Sequence, residues 1–149
     1  MSDVSDVERP GHIPPQKHLA LEFNDIADPL PGMVAPAAGH VQEVLRFAGE
    51  WRQEQAPLLI HCWAGISRST AAAYAAVCAL NPDRDEDEVA DSLRYASPSA
   101  TPNPRMVMLA DTILGRDGRM VRAVARIGRG EFAGEGEPFS LSLDGPARR

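Results

Sequence analysis

Apolar positions along this chain fall into two kinds of spacing. In HLALEF (18–23), Leu19, Leu21 and Phe23 alternate with other residues, a period of two that predicts a strand with one buried face. PLLIH (57–61) is a short continuous apolar run, the pattern of a strand covered on both sides. Between them, Pro29, Pro31 and Gly32 mark NDIADPLPG as a loop, and Pro36 opens a predicted helix reaching about Gly49. That helix carries Val41, Val44, Leu45 and Ala48 on one stripe. The alanine-rich stretch from Ser69 to Leu80 predicts a second helix, stopped by Asn81-Pro82. Further helices are expected over about Asp85–Ala96, with Asp85 and Glu88 spaced as a capping box, over Pro104–Leu114, and over about Asp117–Ile127. Residues 1–16 read as an irregular arm and 128–149 as a glycine-rich tail, in which the alternating FSLSL (139–143) is a strand or a docked extension. The order strand–helix–strand–helix predicts one α/β domain, with a small parallel-stranded central sheet flanked by helices.

Composition narrows the setting. The 149 residues are 44% hydrophobic and 24% charged, ordinary for one globular domain. A formal net charge of −6 argues against nucleic acid or an anionic membrane as partner. No apolar run approaches a membrane span, and the acidic N-terminus lacks the apolar core of a signal peptide. Cys62 and Cys78 are too few for a disulfide framework and fit a reducing compartment, so the cytoplasm is expected. Lys17 is the sole lysine among many arginines, and with the alanines this suggests a GC-rich bacterial genome.

The chemistry concentrates in LLIHCWAGISRST (58–70), where an apolar run delivers Cys62 to a turn closed by Arg68. The intervening Trp63, Ala64, Gly65, Ile66 and Ser67 can curl so that successive N–H groups form an anion nest. The following helix adds free N–H groups and the positive end of its dipole. Gly65 supplies a backbone conformation that a side chain obstructs, and the planar fork of Arg68 suits two oxygens of a phosphate. Such a cradle lowers a cysteine pKa from about 8.5 to roughly 3.5–7.5, which makes the thiolate a nucleophile aimed at phosphorus. A lone cysteine is more often a buried structural residue. The recurrence of Cys, Gly, Arg and Ser between strand and helix reverses that balance.

His61, Cys62, Arg68 and Ser69 resemble the signature of the cysteine-based protein tyrosine phosphatase superfamily: HC, five residues, R, then S or T. Gly65 and Ser67 are most similar to its dual-specificity branch, AGI (64–66) is also similar to tyrosine-specific members, and the likeness extends from about His18 to Leu114. The resemblance implies that Cys62 is the nucleophile, Arg68 the phosphate clamp, Ser69 a hydroxyl donor to the departing thiolate, and His61 a support behind the loop. It also implies a general acid after a strand upstream of the cysteine. Asp25 fits, with Pro29 following, and Asp28 is the runner-up. Asn103 resembles the asparagine that dual-specificity members carry before their last helix, a candidate for positioning water and equally an ordinary helix N-cap. Few residues precede Cys62 for this family: the chain reads as a minimal member, or as one starting inside the usual domain.

The resemblance implies a cytoplasmic phosphatase acting on phosphoproteins or small phosphomonoesters through a cysteinyl-phosphate, with no cofactor. Phosphotyrosine is favoured over phosphoinositides, because WAGIS lacks the lysines that lipid-phosphate members often place there. The alternatives are a phosphate-binding pseudophosphatase and a rhodanese-like sulfurtransferase, whose usual loop is one residue shorter. DRDEDE (83–88) lacks the Gly and Glu of a calcium loop and reads as a negatively charged helix start. Cys78 is expected to face the core. His12, His18 and His40 form no ligand-like cluster, so no metal is expected.

Overall fold

The molecule is organised around its alanine-rich helix, in a computed structural model that describes residues 7–145. Among the described residues the helices are α1 (Ala38–Trp51), α2 (Arg68–Leu80), α3 (Glu86–Ala96), α4 (Pro104–Ile113) and α5 (Arg119–Ile127), with a 3-10 turn at Pro15–Lys17. Helix α2 packs against α1, α3 and α4, while α5 closes the far side against α3 and α4. A helix apolar on all sides belongs inside. Ala71, Ala72, Ala75 and Ala76 are buried on α2, and these small side chains let its neighbours approach closely. Tyr74, Val89, Leu93, Val107 and Met120 fill the space between the helices. Cys78 is fully buried there, and burial pushes its thiol pKa up to about 12.

The expected central sheet is absent: among the described residues there is no β-strand. The period-two burial itself is present. Leu19 and Leu21 are half-buried and Phe23 is buried, while Ala20 and Glu22 are exposed. Phe139, Leu141 and Leu143 likewise pack inward between exposed Ser140 and Ser142, so FSLSL is a docked extension. A strand, however, also requires a neighbour that completes its ladder. Among the described residues, 18–23, 57–61 and 139–143 exchange no backbone hydrogen bonds with one another. PLLIH is also not covered on both sides: Leu58 and Ile60 pack inward, but Leu59 is 84% exposed. Alternation reports which side of a segment meets the core, and it does not supply the partner.

The helix ends show why the elements stop where they do. Asp85 caps α3 by accepting from the N–H groups of Asp87 (2.8 Å) and Glu88 (3.4 Å). Glu86 in the same acidic run is structural too. Buried Glu86 pairs with buried Arg116 at 2.6 Å and with Arg119 at 3.2 Å, and Arg116 also donates to the Cys78 carbonyl at 2.6 Å. Pro36 lies ahead of α1 rather than opening it, and the Ala37 N–H donates to His40 Nδ1 at 3.0 Å. Helix α5 is capped from a distance. Asp111 on α4 accepts from the N–H groups of Gly118 (2.7 Å) and Met120 (2.8 Å). No helix among the described residues is long and apolar enough to cross a membrane.

Candidate functional site

Cys62 ends the segment that leads into α2, and the loop from Trp63 to Ser67 folds back over its sulfur. Gly65 has φ +70°, the left-handed region that favours glycine, and its N–H donates to Cys62 Sγ at 3.3 Å. Ser69 Oγ lies 3.2 Å from the same sulfur. Burial pushes the half-buried thiol up. The Ser69 hydroxyl and backbone, the Gly65 N–H and the Arg68 charge outweigh this, so the pKa sits below the ordinary cysteine value.

The loop carbonyls explain its shape. Ala64 O accepts from the Gly136 N–H (2.7 Å), Ile66 O from Thr101 (2.9 Å) and Ser67 O from Asn103 (3.2 Å). A trans peptide points its N–H opposite to its carbonyl. Anchoring these three carbonyls therefore fixes the Gly65, Ser67 and Arg68 N–H groups on the opposite edges of their peptide planes, the Gly65 N–H toward Cys62 Sγ. Thr70 Oγ1 also donates to Ile66 O at 2.6 Å, locking the loop to the start of α2.

Arg68 Nη1 donates to Phe23 O at 2.8 Å, tying the guanidinium to the segment that carries the aspartates. Asp25 lies beside the loop, accepting on Oδ1 from Ser67 Oγ (2.7 Å) and from Asn103 Nδ2 (2.7 Å). Asn103 is 2% exposed, and its carbonyl oxygen caps α4 through the Met106 N–H at 3.0 Å. Its amide also donates to Ile26 O at 3.3 Å. The segment around Asp25 is further pinned by Asn24, whose N–H donates to Val34 O (2.7 Å) and whose side chain accepts from Val34 N–H (2.8 Å). Arg105 of α4 holds Pro36 O at 2.6 Å and Ala27 O at 3.4 Å.

Cys62, Gly65, Ser67, Arg68, Ser69, Asp25 and Asn103 thus come together. Asp28 is exposed, and among the described residues no hydrogen bond ties it to the loop. His61 is exposed, and among the described residues no hydrogen bond joins it to the loop it was expected to support. Trp63 is 79% exposed beside the cysteine. The link from Ser67 and Asn103 to Asp25 and the hold of Gly136 on Ala64 were missed in the sequence. No local pattern marks them, because each joins segments far apart in the chain.

What the site defines is a thiol within hydrogen-bond reach of a glycine N–H and a serine hydroxyl, with a carboxylate bonded to the same loop. The dual specificity protein phosphatase 15 of Rattus norvegicus is 35% identical over 69 residues, which are 46% of this chain and 29% of that protein. The chain therefore spans under a third of that relative's length, and the relationship to phosphatases is distant. No family model and no solved structure matches the chain.

Proposed function

We propose that this protein is a phosphatase that hydrolyses phosphomonoesters through a cysteinyl-phosphate at Cys62, with protein phosphotyrosine as the favoured substrate. The observation that carries this is the shared environment of Cys62 Sγ: it meets Gly65 N–H at 3.3 Å and Ser69 Oγ at 3.2 Å in a loop whose carbonyls are held by outside donors, leaving its N–H groups on the opposite peptide edges. The phosphoryl oxygens bind those N–H groups and the Arg68 fork. The thiolate attacks phosphorus, the P–O ester bond breaks, and the leaving oxygen takes a proton from Asp25.

The tether at Asp25 bears on that proton. Both donors, Ser67 and Asn103, bond to Oδ1. Oδ1 is engaged as an acceptor, so a proton handed to the leaving group would be carried on Oδ2. In the second step Asp25, now a carboxylate, takes a proton from the attacking water as the S–P bond breaks. Ser69 donates to the returning thiolate. Asn103 acts through Asp25 in this scheme, so it is a positioning residue rather than a direct partner of the water.

The test is a panel of phosphotyrosine, phosphoserine and phosphoinositide substrates, with Cys62→Ser as control. Turnover of the aryl phosphate that disappears in a folded Cys62→Ser protein is expected. Undiminished turnover by that variant would end the proposal.

A further inference from the structure

The chain after α5 does not trail away from the molecule; it crosses the cysteine loop. One end is fastened by Arg94, whose guanidinium donates to Gly128 O at 2.7 Å, and by Glu131 N–H to Pro98 O at 2.9 Å. The other end is held where Asn81 Nδ2 and Arg84 Nη1 donate to Leu143 O at 3.1 and 3.0 Å. Phe139, Leu141 and Leu143 seat the span between on the core. Midway, Gly136 donates its N–H to Ala64 O at 2.7 Å.

That bond grips the peptide unit whose other side meets the thiol. The carbonyl of Ala64 faces Gly136, and the N–H of the same unit, on Gly65, faces Cys62 Sγ at 3.3 Å. The two contacts lie on opposite edges of one rigid plane. Space there is closed. A Cβ on Gly136 would lie 2.6 Å from Gly65 O and 3.2 Å from Gly65 C, both backbone atoms that cannot swing aside. Gly134, two residues earlier, has open space around its Cα. Gly136 lacks a positive φ, so the clash and not the backbone conformation is what forbids a side chain.

We propose that residues 128–143 are a strap that sets the shape of the cysteine loop, with Gly136 the positioning residue through which it acts. The strap's effect on the thiol stands by itself, and its effect on catalysis rests on the phosphatase reading above. Gly136 bears on Cys62 through the orientation of the 64–65 peptide. The titratable side chains lining the cavity shared by loop and strap are His61, Glu135 and Glu137, and Arg68 acts on the thiol from α2.

The experiment compares the full chain with Gly136→Ala and Gly134→Ala. Alkylation of Cys62 by iodoacetamide is followed across pH by peptide mass spectrometry, beside kcat/KM for an aryl phosphate and the thermal melt. For Gly136→Ala, alkylation at neutral pH falls about tenfold with its midpoint moved to higher pH, and kcat/KM falls by about the same factor, the scale of one hydrogen bond to a charged sulfur. Gly134→Ala matches the parent in every readout. If Gly136→Ala does not fold, Glu131→Pro, which removes the anchor to Pro98 at an exposed residue, is expected to slow alkylation in the same direction. Midpoints unchanged from the parent in the folded variant would overturn the strap. A parent that turns over no phosphomonoester, but whose alkylation midpoint still shifts with Gly136→Ala, retires the phosphatase reading and leaves the strap in place.

Discussion

Replacing Asn103 by serine separates two jobs that one side chain performs. Its carbonyl oxygen caps α4, and its amide holds Asp25 and Ile26. Serine is as good an N-cap as asparagine, so the helix end survives, while the amide donors are lost. A hydrogen bond contributes about 0.5–1.5 kcal/mol net, and Asp25 is exposed enough for water to replace its lost partner. Asn103→Ser should therefore cost about 1–2 kcal/mol in a urea titration, and Asn103→Ala about 1 kcal/mol more through the lost cap. Activity should respond unevenly. A positioned general acid contributes roughly 10²–10⁴ in rate, so a loosened one should slow a poor alkyl or peptide leaving group by about tenfold or more. An activated nitrophenyl ester, whose leaving anion departs without a proton, should change little. The assay is kcat/KM on both substrates beside the urea titration. Equal slowing of the two esters by Asn103→Ser would refute the reasoning that joins Asn103 to the acid.

The same pair of esters decides between the aspartates: Asp25→Asn should slow the poor leaving group selectively, while Asp28→Asn, which lacks a tether to the loop, should track the parent. Arg68→Lys keeps a cation but loses the planar fork, and its kcat/KM should fall by about 10²-fold or more; equal values for the two proteins would remove Arg68 from the mechanism. Arg116→Met should lower stability by about 3 kcal/mol, because it strips buried Glu86 of its nearest partner. Burial pushes the Glu86 carboxyl up, yet hydrogen bonds from its own backbone, Arg116 and Arg119 hold it below the usual value. Its stabilising contribution is therefore full above the ordinary glutamate range and is lost as pH falls through the depressed folded value. Urea titrations from pH 7 downward should show a smaller acid-side loss in Glu86→Gln than in the parent.

The helices were legible because their information is local. Val41 and Ala48 announce the buried stripe of α1, the alanines announce a central α2, and Asp85 announces the start of α3. The cysteine loop was legible for the same reason, since Cys62, Gly65, Arg68 and Ser69 lie within one turn of chain. The sheet was not, because Leu19, Leu21 and Phe23 report only that one side is buried. Nothing in HLALEF or PLLIH says whether another segment lies alongside to receive its hydrogen bonds. Long-range tethers were equally hidden. Asn103 could be recognised as a cap from its neighbour Pro104, but its reach to Asp25 depends on how α4 packs. The tail could be read only as glycine-rich, whereas Gly136 is a close contact between two backbones.

The unladdered segment ahead of Cys62 has a consequence for how the thiol is held. Among the described residues, the amides of 58–61 find no backbone acceptor, whereas the loop beyond the cysteine is bonded to residues 101, 103 and 136 and continues into α2. The sulfur is therefore mounted as on a cantilever, rooted on its C-terminal side. Amide hydrogen exchange should divide at Cys62, rapid over 58–61 and slow from the first turns of α2 onward. The position of the thiol over its loop is then set from the C-terminal side, by α2 and by the bonds from residues 101, 103 and 136.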